Sequence, residues 1–246
     1  MVRLLDRQDH HDSDRRLGMR LTVATAAVAL FSVPFILLLV FVMSSFAPLN
    51  DFDESVAHRL HAYALANPGY ARFLNVATEV LGPNVWRALV VMAAAWFWFR
   101  GARRLAVWAV VTITVSGLLN LAVKEIVHRA RPALPDPVSW APGASFPSGH
   151  AMGAATGTCV LVLLLLPYLR SWTSRIAVWA VAAVLAVFVA YSRVALGVHW
   201  FSDVVAGIAL GVVVVAGTAA GFESWRRSEG RRPVEPHKEG VEPEVS

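Results

Sequence analysis

Residues 204–222 have the sequence VVAGIALGVVVVAGTAAGF, which contains no charged side chain and no proline. Their number is close to the roughly 20 residues that an α-helix needs to cross a hydrocarbon core of about 30 Å. Five further mainly apolar stretches of similar length precede it, at about residues 21–43, 80–99, 105–127, 150–168 and 176–192. The sequence therefore predicts an all-α, polytopic membrane protein with six transmembrane helices.

The composition of the whole chain is also that of a membrane protein. Of its 246 residues, 57% are hydrophobic and only 16% are charged, whereas a soluble domain carries about 25% charged residues. The net charge of +5 would suit a nucleic-acid partner, but the basic residues gather at the ends of apolar stretches and form no continuous stripe. We therefore expect a membrane lipid as partner and no nucleic acid, while the oligomeric state stays open.

The distribution of lysine and arginine predicts how the spans are oriented. With both termini on one side, that side carries fifteen of these residues and the opposite side carries seven. The seven are Arg59, Arg72, Arg87, Lys124, Arg129, Arg131 and Arg193. By the positive-inside rule, residues 1–20 and 223–246 are predicted to be cytoplasmic tails, the second one disordered, around a membrane domain at residues 21–222.

The first outer loop, residues 44–79, is predicted to contain two short helices. Asp51 and Asp53 are candidate caps for the first helix, and the second would run from about residue 70 to residue 80. The apolar stripe of the first helix would contain Val56, Leu60 and Tyr63. Two interpretations stay open: a pair of amphipathic helices in the membrane interface, or a lid or lipid entrance beside a site.

Three clusters of polar residues lie at the predicted outer ends of spans. They are Lys124, Arg131 and Pro132 in KEIVHRARP; Pro147, Ser148, Gly149 and His150 before the fourth span; and Ser192, Arg193, His199 and Asp203 in SRVALGVHWFSD. Any one of these ionisable residues alone would commonly be an interfacial side chain that reaches the headgroups. Their common location at one membrane face instead indicates a single site.

The clusters supply the groups that phosphoryl transfer requires. The cations Lys124, Arg131 and Arg193 suit the negative charge that is spread over the phosphoryl oxygens in the transition state. The hydroxyl and backbone N–H groups of Ser148 and Gly149 would form an anion site at the N-terminus of the fourth span. The sequence therefore predicts a phosphate site with three fixed positive charges.

The two histidines of the clusters permit a division of labour. One imidazole can attack phosphorus while the other protonates the leaving oxygen. His199 and Asp203 are four residues apart, so they share one helix face if the sixth helix begins there. The carboxylate can then hold one ring nitrogen protonated and leave the other free to attack.

The patterns K-x6-R-P, P-S-G-H and S-R-x5-H-x3-D resemble the three signature motifs of the type 2 phosphatidic acid phosphatase superfamily. All eleven specified positions are present between residues 124 and 203, and the six-span layout resembles the bacterial membrane branch. The resemblance implies hydrolysis of a lipid phosphate or diphosphate on the extracytoplasmic side. It suggests polyprenyl diphosphate, phosphatidylglycerophosphate or phosphatidic acid as the substrate, and the compact form favours the first two.

The resemblance also implies a role for each matching residue. His199 would be the nucleophile that forms a phosphohistidine, Asp203 would orient it, and His150 would be the acid on the leaving group. The residues implied to bind the phosphate are Lys124, Arg131, Ser148, Gly149 and Arg193. Framework roles are implied for Pro132, Pro147 and Ser192. His128 and Arg129 fall at unspecified positions of the motif, and no role is predicted for them.

No metal or other cofactor is expected. The spans lack a carboxylate cluster or a histidine pair suited to a cation, and the adjacent His10 and His11 have no further ligand beside them.

Alternative functions use the same residues differently. A lipid-linked phosphotransferase would pass the phosphoryl group to an acceptor other than water, and the residues cannot separate it from a hydrolase. A haloperoxidase would share the phosphate pocket, but such relatives are soluble. A non-enzymatic membrane transporter would place charges midway along its spans, whereas here they lie at the ends.

Glycine pairs at four-residue spacing predict close helix packing. They are Gly153 and Gly157 in the fourth span, and Gly207, Gly211, Gly217 and Gly221 in the sixth. Such spacing lets two helix backbones approach each other. Contact between these two helices would bring His150 and His199 together, although generic membrane packing would use the same pattern.

Overall fold

A computed structural model describes the backbone of residues 2–228 and the side chains of residues 22–224. The described backbone contains eight α-helices and no strand. They are α1 (Val2–Met43), α2 (Ala47–Ala66), α3 (Pro68–Val80), α4 (Pro83–Phe99), α5 (Arg103–Val127), α6 (Gly149–Leu165), α7 (Trp172–Ala195) and α8 (Phe201–Ser228). A short 3₁₀ turn, Leu166–Tyr168, follows α6.

Six segments of the described chain are long and apolar enough to cross a membrane. They are Thr22–Met43, Pro68–Phe99, Arg103–Val127, Gly149–Tyr168, Trp172–Ala195 and Phe201–Ser224. The prediction of an all-α protein with six membrane helices is therefore confirmed. The second segment is longer than expected because α3 and α4 follow each other with only residues 81 and 82 between them.

Several helix ends differ from the predicted ones. The first helix begins at Val2 and so includes the predicted polar tail, and α8 continues six residues beyond the predicted end at residue 222. The rest of the predicted disordered tail, residues 229–246, lies outside the described residues. Helix α7 begins four residues earlier than predicted because the Ser171 hydroxyl accepts a hydrogen bond from the Ser174 N–H and caps it.

Helix α2 begins and packs differently from the prediction. Its N-cap is Phe46, with a proline in the first turn, so capping by Asp51 or Asp53 is wrong. Its buried residues are Asp53, Ala57, His61 and Ala64. The predicted stripe is confirmed only in part: the half-buried Val56 and Leu60 pack against buried core residues, whereas Tyr63 is 56% exposed. Hydrophobic patterning misses the true stripe because two of its members are polar residues that find partners elsewhere in the fold.

Helix α6 lies at the centre of the bundle. It packs against α4, α5, α7 and α8, and its membrane segment is more buried than any of the other five described segments. Small residues permit this arrangement, because Gly207 of α8 lies so near α6 that an added Cβ would come within 2.6 Å of the Ser148 carbonyl oxygen. The predicted close approach of these two helices is confirmed there and at Gly211, whose Cβ would meet the Met152 carbonyl at 3.0 Å.

The other predicted glycine pairs behave differently. Gly157 faces α4, where an added Cβ would come within 2.8 Å of the Trp86 Cβ. Gly217 and Gly221 have no heavy atom within 4 Å of an added Cβ, so the prediction of close packing there is wrong. Only the glycines in the first half of α8 bring it against α6, which is the half that carries the predicted site.

Candidate active site

The predicted site residues meet at one end of the bundle. Lys124 lies in the last turn of α5 and Arg193 in the last turn of α7. Ser148 caps α6, and Asp203 lies in the first turn of α8. The loop at residues 128–148 and the segment at residues 196–200 complete the site and join these helix ends.

His199 and Asp203 form a buried pair. His199 is 2% exposed and Asp203 is fully buried, with 3.3 Å between Nδ1 of the imidazole and Oδ2 of the carboxylate. The same Oδ2 accepts the Trp200 backbone N–H at 2.9 Å and the Ser145 hydroxyl. The carboxylate is thus fixed on the side that faces the imidazole.

The contacts of His199 determine which ring nitrogen carries the proton. Nη1 of Arg131 lies 3.1 Å from Nε2 of His199. A guanidinium can only donate hydrogen bonds, so Nε2 must be the accepting nitrogen with the free lone pair. Nδ1 therefore carries the hydrogen and donates it toward Asp203. This is the tautomer that leaves Nε2 able to attack.

Burial keeps the His199 imidazole neutral. Removal from water lowers the pKa of His199 to about 4, and the positive charges of Arg131 and Arg193 act in the same direction. The hydrogen bond to Asp203 and its negative charge oppose this shift without cancelling it. At neutral pH the ring is therefore unprotonated at Nε2.

The three predicted phosphate-binding cations lack acidic partners. Among the described residues, Lys124, Arg131 and Arg193 have no carboxylate oxygen within 4.0 Å. Arg193 is 3% exposed, and its Nε has no hydrogen-bond partner among the described residues. Buried cations without counterions are unfavourable unless an anion joins them. The arrangement therefore fits a phosphate as the missing partner.

Arg131 is held in place by backbone carbonyl groups. Its Nε donates to the Gly143 carbonyl at 2.9 Å, and Nη1 donates to the Val198 carbonyl at 2.6 Å. Burial lowers the pKa of Arg131, while the charge of Asp203 opposes this shift. Lys124 likewise donates to the Ala144 carbonyl. The loop that carries Arg131 thus orients both cations through its backbone carbonyl groups.

The N-terminus of α6 differs in one respect from the prediction. The Ser148 N–H donates to the Asp203 carbonyl at 3.0 Å, so it cannot serve an anion as predicted. The Ser148 hydroxyl accepts the Ala151 N–H at 3.4 Å, which leaves only its hydroxyl hydrogen to donate to a phosphate. The N–H groups of Gly149 and His150 stay available because the first turn of a helix has no internal acceptors.

His150 lies among the predicted phosphate-binding cations. Charges on Arg193, Arg131 and Lys124 act on its imidazole, as does His199. The two histidines predicted to share the chemistry are therefore on the same face of the bundle. Gly149 beside it is held against α5, where an added Cβ would lie 3.1 Å from Oδ1 of Asn120.

Four polar residues of the site were not predicted from the sequence. Arg129 donates to Asp203 Oδ1 at 2.7 Å and to Asp53 Oδ2 at 2.8 Å. Ser202 donates its N–H to Asp53 at 2.9 Å, and Ser145 contacts both Asp203 and His199. The available signal was weak: a second arginine two positions before Arg131, and one aspartate in a helical stripe that also contains His61.

The charges of the site do not cancel. Four cationic side chains, Lys124, Arg129, Arg131 and Arg193, meet two carboxylates, Asp53 and Asp203. Both carboxylates pair with Arg129. The four cations outnumber the two carboxylates, so the site favours an anionic ligand such as a phosphate.

A small cavity adjoins the site between α4, α5 and α6. Its volume is about 130 Å³, and its lining includes Gly149, Asn120, Ser116 and Arg87. Arg87 is held by Asn84, whose Oδ1 accepts from Nη1 at 2.9 Å. The cavity therefore lies between Gly149 of the predicted phosphate site and a further cation, Arg87, whose side chain is exposed.

Within residues 22–224, no group of three or more His, Cys, Asp or Glu side chains is placed to hold a metal ion. His10 and His11 lie outside the residues whose side chains the structure describes.

Comparisons with known proteins identify the family of this chain. Residues 105–227 match the family model of the PAP2 superfamily, a range that includes all three motifs. The undecaprenyl-diphosphatase of Sulfolobus acidocaldarius is 28% identical over 189 residues, which cover 72% of this chain and 84% of that protein. Phosphatidylglycerophosphatase B of Bacillus subtilis is 36% identical over 133 residues, which cover 51% of this chain and 62% of that protein.

A solved structure shares the fold. The crystal structure of a transmembrane PAP2 type phosphatidylglycerolphosphate phosphatase from Bacillus subtilis superposes with a TM-score of 0.71 at 26% identity. The match covers 80% of this chain and 96% of that one.

Proposed function

Because the chain belongs to the PAP2 superfamily, we propose that this membrane phosphatase acts on a lipid phosphate or diphosphate through a phosphohistidine at His199. The observation that carries the proposal is the contact of His199 Nε2, an unprotonated nitrogen, with Arg131, one of three cations that have no carboxylate partner among the described residues. A phosphate placed there would satisfy the cations and present its phosphorus to the nitrogen.

In the first step, His199 displaces the lipid. The Nε2 lone pair forms a bond to phosphorus while the bond from phosphorus to the lipid oxygen breaks. His150, whose protonation the bound phosphate anion would favour, gives its proton to that departing oxygen, and the lipid leaves as an alcohol or a monophosphate. Arg131 exchanges its contact with Nε2 for one with a phosphoryl oxygen. Charge on these oxygens is stabilised by Lys124 and Arg193.

In the second step, water removes the phosphoryl group. A water oxygen attacks phosphorus, its proton passes to His150, and the bond between Nε2 and phosphorus breaks. Asp203 holds the Nδ1 hydrogen in both steps and stabilises the positive charge that the imidazole carries in the phosphohistidine. Inorganic phosphate leaves, and both histidines return to their starting protonation states.

The site would lie on the extracytoplasmic side with both termini in the cytoplasm. This proposal rests on the excess of lysine and arginine on the side that carries the termini. A site at the end of a bundle lets an amphiphile present its headgroup while its tails stay in the lipid. Residues 21–222 would be the membrane domain.

The substrate would be a lipid with a second anionic group beside the scissile phosphate. Arg87 at the cavity next to Gly149 supplies positive charge for that group. Polyprenyl diphosphate and phosphatidylglycerophosphate both have a second phosphate, whereas phosphatidic acid has only one. The names of the two relatives, an undecaprenyl-diphosphatase and a phosphatidylglycerophosphatase, support the same choice.

An assay of the purified protein against these three lipids, with EDTA present, tests the proposal. We expect phosphate release without added metal, faster from the two lipids with a second phosphate. Arg87→Gln should reduce the difference in rate between the two lipids with a second phosphate and phosphatidic acid, and it should leave the rate of phosphatidic acid hydrolysis nearly unchanged.

His199→Ala should lower turnover of every lipid by about 10⁴-fold or more. Near-normal hydrolysis by a folded His199→Ala protein would contradict the mechanism.

The same assay separates the alternatives. A phosphotransferase would transfer labelled phosphate to an added acceptor alcohol in preference to water. A transporter would move lipid equally well in the wild-type and His199→Ala proteins and release no phosphate.

A further inference from the structure

A buried chain of ion pairs lies behind the proposed nucleophile. Arg129 bridges Asp53 and Asp203, with nitrogen–oxygen distances of 2.8 and 2.7 Å. The arginine side chain is 12% exposed, and the two carboxylates are 1% and 0% exposed. The three residues come from α2, from the loop after α5 and from α8. Distant parts of the chain therefore meet at Asp203.

The two oxygens of Asp203 have separate partners. Oδ1 accepts from Arg129, whereas Oδ2 receives the groups on the His199 side: the Trp200 N–H at 2.9 Å, the Ser145 hydroxyl and Nδ1 of His199. Occupation of Oδ1 by a guanidinium prevents the carboxylate from rotating away from the imidazole. Arg129 thus fixes the orientation of the Asp203 carboxylate relative to His199.

Asp53 fixes Arg129 in turn. Its Oδ1 accepts the Ser202 N–H at 2.9 Å, and its Oδ2 accepts from Arg129 and from the Ser202 hydroxyl. The Trp200 ring also lies against the guanidinium, 5.6 Å from ring centre to Cζ. Arg129 is therefore held on several sides, and α2 is joined to the first turn of α8.

We propose that Arg129 and Asp53 are positioning residues for the reaction: Arg129 holds Asp203 so that Oδ2 faces His199, and Asp53 holds Arg129. This inference rests on the proposed function, in which His199 is the nucleophile. It makes the first half of α2 a fixed part of the active site. The interpretation of the first outer loop as a lid would then apply only to the residues that follow the first half of α2.

A purely structural role would give a different result in experiments. Loss of a buried ion pair destabilises a protein because the remaining charge is buried without a partner. If that were the whole effect, fewer molecules would fold, but each folded molecule would turn over at the normal rate. Rate per active site and its pH dependence therefore distinguish the two roles.

Removal of Arg129 should change the pH dependence of the rate because charged groups surround His199. The groups that face it are Asp203 from α8, Arg131 from the loop after α5, Arg193 from α7 and His150 from α6. Arg129 neutralises part of the Asp203 charge. Without Arg129, that carboxylate would stabilise protonated His199 more strongly and raise the pKa of His199. As the pH is lowered, activity would therefore begin to fall at a higher pH than in the wild type.

The test compares Arg129→Met, Arg129→Lys and Asp53→Asn with the wild type in detergent. Active sites are counted from the phosphoenzyme formed in a single turnover, and kcat, KM and the pH profile are measured for one lipid phosphate. Arg72→Met is the matched control, since Arg72 is an exposed arginine of α3.

We expect Arg129→Met to lower kcat per active site by about 10- to 100-fold, the size usual for a partner that orients a reacting or ligating histidine. KM should stay within about twofold because the phosphate ligands are intact, and the acid limb should move to higher pH. The kcat of Arg129→Lys should be higher than that of Arg129→Met. The kcat of Asp53→Asn should lie between those of the wild type and Arg129→Met. Arg72→Met should have the kcat and pH profile of the wild type.

Normal kcat per active site with an unchanged pH profile in the folded variants would overturn the inference. If Arg129→Met does not fold, Arg129→Lys and Asp53→Asn separate the two roles in its place, because each preserves size and part of the hydrogen bonding. Normal hydrolysis by His199→Ala would instead refute the proposed function, so the two failures are distinguishable.

Discussion

In the proposed mechanism, the His199 imidazole must be neutral in order to attack, and it must be stabilised when it carries positive charge in the phosphohistidine. Burial supplies the first property, since it lowers the pKa of the ring to about 4. Asp203 supplies the second, because its carboxylate accepts from Nδ1 and balances the charge of the intermediate. The geometry thus joins two opposing electrostatic effects in one residue.

The lowered pKa of His199 predicts an unusual acid limit for the enzyme. Only the unprotonated ring attacks, and its fraction falls as the pH drops through the folded-state pKa. After correction for titration of the substrate phosphate, kcat/KM should therefore persist below pH 6 and be half lost at about pH 4. Half-loss near the ordinary histidine value of about 6.5 would contradict this prediction.

Sequence reasoning could identify the groups that are proposed to face the phosphate, but not the residues behind them. Lys124, His199 and the other motif residues combine a recognisable spacing with a chemistry that phosphoryl transfer needs. Asp53 and Arg129 have neither, since they are 76 residues apart and their importance comes from a contact that only the folded chain makes. The capping role predicted for Asp53 was wrong for the same reason.

At the scale of helices, the contact between α6 and α8 aligns the two histidines. The Ser148 N–H donates to the Asp203 carbonyl at 3.0 Å, which ties the first turns of the two helices together. That bond is possible because Gly207 presents no side chain to the Ser148 carbonyl. The backbone of α8 therefore approaches α6 where the site is built.

A methyl group at Gly207 should separate the two helices. Its Cβ would lie 2.6 Å from a backbone oxygen, so the helices must shift. We expect Gly207→Ala to lower stability by about 1–3 kcal/mol and to reduce kcat, as measured by thermal unfolding in detergent and by phosphate release. Gly217→Ala is the control, since an added Cβ there has no heavy atom within 4 Å. Equal effects of the two substitutions would show that the α6–α8 contact does not position the site.

The helices themselves were largely predictable, because a long apolar stretch with charged ends has few alternatives in a bilayer. The errors occurred where local hydrogen bonds set a boundary, as at Ser171, or where polar residues are buried, as in α2. Glycine spacing correctly indicated the contact at Gly207. It also suggested one at Gly217, because spacing alone does not say which neighbour a helix face meets.

For the whole molecule, the bundle collects its unpaired cations at one end. The two carboxylates of the site are both bound to Arg129, so the remaining cations face the space for the phosphate. The orientation that we propose for this end relative to the cell rests on the distribution of basic residues along the chain. A site outside the cytoplasm would act only on lipids that reach that leaflet.

Labelling of introduced cysteines tests this orientation. In a Cys159→Ala background, Ser55→Cys in α2 should react with a membrane-impermeant maleimide on intact cells. Thr173→Cys at the start of α7 should react only after the cells are permeabilised, because it lies at the opposite end of the bundle. Both positions are exposed. The reverse pattern would place the site in the cytoplasm.

The most direct test of the account is to identify the residue that carries phosphate during turnover. Turnover is stopped in alkali, where a phosphohistidine survives, and the digested protein is analysed by mass spectrometry. The account predicts a phosphate on His199 that decays at the rate of phosphate release and is missing from His199→Gln. Phosphate on a different residue, or an active enzyme that never carries phosphate at His199, would contradict it.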